Sequence, residues 1–289
     1  MGRRSILAVT LVLLPLFTRG AELSEKEALV QTIVQAQKAA EAAVRQGRGT
    51  ALVKTLAIEE PKPSTKGESV VPRRQEENYS VEFSFKDDNQ RVTKYSVGAD
   101  GVRGARCEDR IDLNANSTYW RYLPAENRAF HATSTGSSGY TGRIGDDFRP
   151  SALRKIEETP AWIIVENSLK FCDYFETAIR DDGMLEIRCG TSASANKPKS
   201  EITMVLNPQA GYGLVQSTRL VDRGGGEVHR ATQEVTWQQA GDTWIPKTIK
   251  YWERWEVGPD NPTPRGNAER RCEIELADFQ PGVEVPDSV

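Results

Sequence analysis

The 289-residue sequence predicts an α+β, mostly β protein in which a curved antiparallel sheet forms an incomplete barrel and helices cover one face. Three observations lead there. From Tyr79 onward apolar and polar residues alternate in short runs. The clearest sets Tyr79, Val81, Phe83 and Phe85 against Ser80, Glu82 and Ser84, a period of two that turns one side of a strand to a core. Turn residues such as Asp181-Asp182-Gly183 and Ala240-Gly241-Asp242 separate these runs at hairpin distances. Helical periodicity is confined to the chain before residue 57 and to one stretch in the middle. Such a meander buries one face, and the amino-terminal amphipathic helix and the mid-chain helical insertion are the available cover.

The elements follow in order. Arg3 and Arg4 precede an uncharged run from Ile6 to Phe17, then Thr18-Arg19-Gly20-Ala21, the three-part layout of a secretory signal peptide. The run is too short for the roughly 20 residues that cross a bilayer, so residues 1–20 are expected to be removed after Gly20 and the mature protein to be periplasmic or extracellular. Ser24 and Glu27 form a capping box. Leu29, Ile33, Ala36, Ala40, Ala43 and Val44 then repeat at helical spacing, predicting a helix that Gly47 and Gly49 interrupt and that resumes to about Leu56. Residues 59–78 carry three prolines and no period and read as a loop. Strands are expected at 79–85, 91–97, 102–107, 117–123 and 128–133, followed by an irregular glycine-rich segment, 134–147. Arg149–Glu158 and Ala161–Leu169 form the expected helical insertion, divided at Pro160. Further strands are expected at 171–179, 184–189, 201–206, 213–221, 228–238, 243–255 and 271–279, with a proline-rich loop at 256–270.

Removing residues 1–20 takes away three arginines and no acid, so the formal charge moves from −3 to −6 over 269 residues that need only one core. A mildly acidic, mixed surface excludes nucleic acid as the expected partner. Cys107, Cys172, Cys189 and Cys272 show no C-x-x-C pair, which counts against a zinc site. In an oxidising compartment two disulfides are expected. Of three connectivities the hairpin flanked by Cys172 and Cys189 favours that pair, leaving Cys107 with Cys272, and free buried thiols are the alternative.

Little in the chain supports catalysis. Its two histidines, His131 and His229, each sit inside an expected strand, and no H-E-x-x-H, G-x-S-x-G or phosphate-loop pattern occurs. The doublets Asp87-Asp88, Asp146-Asp147 and Asp181-Asp182 fall at turns, where Asp bonds its own backbone. No enzyme activity, catalytic residue, metal or cofactor is therefore expected. Trp237, Trp244, Tyr251, Trp252 and Trp255 gather on two adjoining strands, with Trp252 on the face opposite Tyr251 and Trp255.

The hairpin from Trp237 through Gly241-Asp242-Thr243-Trp244-Ile245-Pro246-Lys247 to Tyr251, and the ending Ile274-Glu275-Leu276-Ala277-Asp278-Phe279 with Val285-Pro286, resemble the lipoprotein-sorting group of periplasmic carriers, LolA and LolB. The order of elements is also similar to theirs. The resemblance implies a single half-barrel domain over 21–289 that holds a lipid, a lipoprotein acyl chain or another apolar ligand between sheet and helices. The residues expected to line that cavity are Leu29, Ile33 and Val44 from the helix, Val81, Phe83 and Phe85 from the first strand, and Trp162 and Ile163 from the insertion. The helix would act as a lid hinged at Gly47 and Gly49. The alternative is a filled core in an envelope protein that binds another protein through loops 136–147 and 256–270.

Overall fold

The computed structural model describes residues 19–60, 71–87, 89–98, 100–113, 118–124, 126–133, 148–156, 159–194, 198–258 and 266–286, of which 19–24, 105–113, 118–121, 130–133 and 150–151 are described as backbone alone. Most of the expected export signal, the loop 134–147 and the centre of loop 256–270 fall outside these residues.

The first half of the chain contains helix α1 (Arg19–Ala42) and strands β1 (Gln46–Glu60), β2 (Arg73–Lys86), β3 (Asn89–Val97), β4 (Arg103–Leu113), β5 (Thr118–Leu123) and β6 (Arg128–Thr133). An insertion follows, made of α2 (Pro150–Leu153), the two-residue strands β7 (Lys155–Ile156) and β8 (Thr159–Pro160), and α3 (Ala161–Phe171). The second half contains β9 (Tyr174–Ile179), β10 (Leu185–Thr191), β11 (Lys199–Asn207), β12 (Gly213–Gly224), β13 (Glu227–Ala240), β14 (Thr243–Val257), β15 (Asn267–Leu276) and the short β16 (Gln280–Pro281). All but β7 and β8 join one antiparallel sheet of fourteen strands, in the order β6-β5-β4-β3-β2-β1-β15-β14-β13-β12-β11-β10-β9, with β16 beside β1. The sheet is thus two meanders sewn together where β15 pairs β1. It does not close, because β6 and β9 are its two edges.

That order places the insertion. The chain leaves the sheet at one edge, β6, and re-enters at the other, β9, so the segment between them must cross a face. It crosses the face on which Val53, Val81, Phe83, Phe85, Ile249 and Ile274 lie buried, called the inner face below. α1 packs on α3, and its Val30, Ile33 and Gln37 turn inward at one-turn and two-turn intervals. Burial of each large apolar side chain in this core contributes about 1.5–3 kcal/mol.

The structure corrects several expectations. The helix ends at Ala42, and residues 46–60 are strand β1 rather than a second helical piece. Ala51 and Val53 point inward and Leu52 is 40% exposed, the alternation of a strand, although Leu52 and Leu56 stand at a helical interval. Gly47 and Gly49 are therefore not lid hinges. A Cβ on Gly49 would lie 2.8 Å from Phe83 Cζ and 3.0 Å from Phe279 Cα, and one on Gly47 would lie 3.0 Å from Phe279 Cε2. These glycines let the Phe83, Phe85 and Phe279 rings close on the backbone of β1. Arg149–Glu158 is not one helix either: α2 lasts one turn and yields to the β7–β8 pair. Ser24 lies inside α1 instead of capping it.

The expected Cys172–Cys189 disulfide is not formed, for both are free thiols. Cys272 in β15 is separated from Cys107 in β4 by three intervening strands. That is four spacings, about 19 Å along the sheet, where a disulfide needs Cα atoms within about 7 Å. Cys189 pairs in register with Phe175, and Cys172 ends α3 with its amide bonded to Ser168 O, yet the two thiols lie close enough to share a hydrogen bond. Burial pushes the Cys189 thiol up to about 12, so it behaves as a small apolar residue.

Candidate functional site

Cross-strand register divides the inner face into rows running across β13, β14, β15 and β1. Val235, Ile249, Ile274 and Val53 form the first, and Gln233, Tyr251, Cys272 and Thr55 the second. Ala231, Glu253, Arg270 and Ala57 form the third, and His229, Trp255, Ala268 and Glu59 the fourth. Alternation spaces successive rows by two residues, so the four span about 20 Å along the strands. The face grades from wholly aliphatic to aromatic and charged over that length.

The aliphatic end is filled. Phe148, fully buried, stacks on Phe83 with ring centroids 4.6 Å apart and planes 8° from parallel, and Phe279 tilts against both Phe83 and Phe85. The Phe148 amide donates to the carboxamide of Gln90, also fully buried, at 2.6 Å. Of the eight residues expected to line a cavity, Ile33, Val44, Val81, Phe83 and Phe85 are buried in this cluster and Leu29 packs against it. Trp162 and Ile163 on α3 are half-buried, with Lys38 Nζ 4.0 Å from the centre of the Trp162 ring. The structure thus gathers six of the eight into one packed layer and leaves two at its α3 margin.

At the other end, Glu253 centres a polar cluster. Its Oε2 accepts from Tyr251 OH at 2.8 Å and lies 3.4 Å from His229 Nε2, while its Oε1 is 3.4 Å from Arg270. The Glu253 side chain is 13% exposed. Burial alone would raise its carboxyl, but hydrogen bonds from His229 and Tyr251, with Arg270 nearby, outweigh that and hold it below the ordinary glutamate value. The His229 ring stacks on Trp255 at 3.9 Å, and Arg223 lies over the same indole at 5.1 Å. Both carboxylate oxygens are engaged, so the cluster is built to hold a polar end of the face in place.

A carboxyl depressed in the fold adds stability above its unfolded value, about 4.3, and that stability is lost as pH falls through the folded value. Glu253→Gln should therefore be less stable than the wild type near neutral pH, with the gap closing between about pH 5 and pH 3. Urea unfolding at stepped pH reads this directly, and a gap that stays constant with pH would remove the linkage.

A second polar group ties the insertion to the sheet. Arg154, 6% exposed, donates to Ala210 O at 3.3 Å and Trp244 O at 3.2 Å, and its guanidinium lies 4.7 Å from the Trp237 ring centre. Burial lowers its pKa to about 10, with Glu41 of α1 opposing the shift. Burial likewise raises Glu41, only partly offset by Arg154. Glu41 Oε1 and Trp162 Nε1 are both buried without a well-formed hydrogen bond, although the indole is near enough to favour the carboxylate.

The outer face carries an open trough of about 410 Å³ over β2, β1, β15, β14 and β13. Its floor includes Leu56 and Trp252, and Glu234, Lys250, Glu273 and Lys54 alternate in sign across it, row by register. None of the eight expected residues lines it. Among the described residues no group of three His, Cys, Asp or Glu side chains is placed to hold a metal ion, and no helix is long and apolar enough to cross a membrane.

Sequence reasoning placed Trp252 opposite Tyr251 and Trp255 correctly, but it missed Glu253, Arg270 and Arg154. The signal for Glu253 was available: three residues, 251, 253 and 255, share the inner face by alternation. Their meeting with His229 needed the β13–β14 register.

No protein-family model matches the chain, those of the lipoprotein carriers included. No curated protein matches it. Among solved structures it is similar to a DUF1329 family protein from Desulfovibrio piger, with a TM-score of 0.36 and 10% identity over 91% of this chain and 95% of that one. It is also similar to part of lipovitellin, in a structure described for its lipid–protein interactions, with a TM-score of 0.27 and 10% identity over 84% of this chain and 26% of that one. Neither likeness is close enough in shape to bear on what this chain does.

Proposed function

We propose that this is an exported, non-enzymatic protein, one half-barrel domain after its leader, that holds a lipid, an acyl chain or another apolar ligand between the inner face of the sheet and the helices. The observation that carries the reading is the gradient of the inner face, from Val53, Ile249 and Ile274 to Tyr251, Trp255 and the Glu253 cluster. An amphiphile laid along the strands would meet aliphatic rows with its tail and aromatic and charged rows with its head. Admission of a tail requires the Phe148 segment or α1 to yield, since Phe83 and Phe148 are stacked face to face. That stacking favours a second reading, an envelope interaction module with a permanently filled core.

Titration with a fluorescent fatty-acyl probe separates the two. Binding in the micromolar range, about −8 kcal/mol, is expected. Phe83→Asp should weaken it at least tenfold by setting an unpaired charge in the wall. Trp255→Ala, at a half-buried position outside the aliphatic core, should weaken it less and cost only about 0.5–1.5 kcal/mol of stability through the lost His229 stack. No binding by folded protein across several lipid classes would leave the interaction module as the reading.

A further inference from the structure

We infer that the β9 edge of the sheet is a self-association surface, on which a second copy of this chain adds its own β9 antiparallel. β9 ends the strand order and pairs only β10 among the described strands. The edge is apolar for an edge: Ile179 is 62% exposed, and Phe171, just before the strand, 68%. An exposed apolar strand edge is a template for another strand.

Hydrogen-bond phase selects the register. Arg180 N donates to Met184 O at 2.9 Å, and the ladder pairs Ile179 with Leu185 and Glu176 with Arg188. Even-numbered residues of β9 therefore direct their amides and carbonyls at β10, and Phe175, Thr177 and Ile179 direct theirs outward. A twofold axis at Thr177 sets Thr177 against its copy and Phe175 against Ile179 of the partner, so all three outward residues enter hydrogen-bonded pairs. The same register carries the inner apolar face across the junction through Phe175, itself 8% exposed. On the other face it brings Glu176 diagonally opposite Arg180 of the second copy, twice by symmetry. Shifting the axis to Glu176 would oppose two like charges and lose one of the three hydrogen-bonded pairs. An axis at Ala178 would set Glu176 directly against Arg180 of the second copy but move Phe175 beyond the partner strand, so hydrogen-bond phase selects the alignment at Thr177, while the complementary charges of the strand select a second copy as the occupant. A strand edge this short buries less than a standard interface of about 1,200–2,000 Å², so the dimer is reversible.

Sedimentation velocity of the full mature chain over about 1–200 µM tests it, with dimer expected to dominate at the upper end. Thr177→Pro removes an outward amide without touching the β9–β10 ladder and should raise the dissociation constant at least tenfold with an unchanged melting curve. Ile179→Lys, at an exposed position, should do the same. A wild type that stays monomeric throughout, or a dimer that both variants leave intact, overturns the inference. Pairing of β9 with an unrelated extended peptide in place of a second copy overturns it equally.

Discussion

Replacing Arg154 by alanine should destabilise the protein by about 1–3 kcal/mol, the range for leaving buried hydrogen-bond acceptors without their donor. The reason is what remains: Ala210 O and Trp244 O lose their buried donor, the Trp237 face loses its cation, and the half-buried Glu41 carboxyl, already raised by burial, loses the main positive charge that opposes that shift. Adding Glu41→Gln should recover part of the loss, because the stranded charge goes with it, so the double mutant should cost less than the two single changes together. Arg154→Met, which refills the space over Trp237 without donors, should fall between. Equilibrium unfolding of the four proteins gives the cycle. A loss under about 1 kcal/mol for Arg154→Ala would mean that the insertion is held to the sheet by apolar packing alone.

Gly49→Ala should cost about 1–3 kcal/mol, the range for overpacking a close contact. The neighbour at 2.8 Å is a ring edge that can rotate, but Phe279 Cα at 3.0 Å and Asp278 O at 3.1 Å are backbone on the segment linking β15 to β16 and cannot yield separately. The loss should appear in thermal melting as a fall of several degrees, about 2–4 °C per kcal/mol for a domain near this size. Release of a bound probe from the folded fraction should be unchanged, because residue 49 lies in a paired strand and not in a hinge. A slowed release with unchanged melting would restore the lid hinge at this position.

The sheet was legible because its strands obey a period of two and its turns carry glycine and aspartate. Gly183, Gly211 and Gly241 all adopt the left-handed backbone that those turns need. β1 was illegible for the opposite reason: Ala, Leu and Val between residues 51 and 58 fit either period, and only pairing with β2 and β15 on both sides decides for a strand. The Cys107–Cys272 pair failed because strand order is not sequence order, whereas Cys172 and Cys189 do meet, as unbonded thiols. β15 returns to pair β1, which carries Cys272 far from Cys107. Six of the eight residues chosen for the site lie together in the core, since periodicity fixes a face. Register, which brings His229 to Trp255 and Arg270 to Glu253, arises from turn lengths and from bulges such as the one between Thr236 and Trp237. Arg154 gave no signal at all, for a lone arginine after a short helix is ordinarily solvated.

The central claim, that the inner face takes an apolar ligand, is tested most directly by where such a ligand touches the chain. Photo-crosslinking with a diazirine-bearing fatty acid, followed by peptide mapping, should place adducts on inner-face positions of β1, β2, β14 and β15 and on α1 or α3, with excess unlabelled fatty acid suppressing them. Adducts confined to the outer trough around Leu56 and Trp252, or none above background from a folded protein, would contradict it.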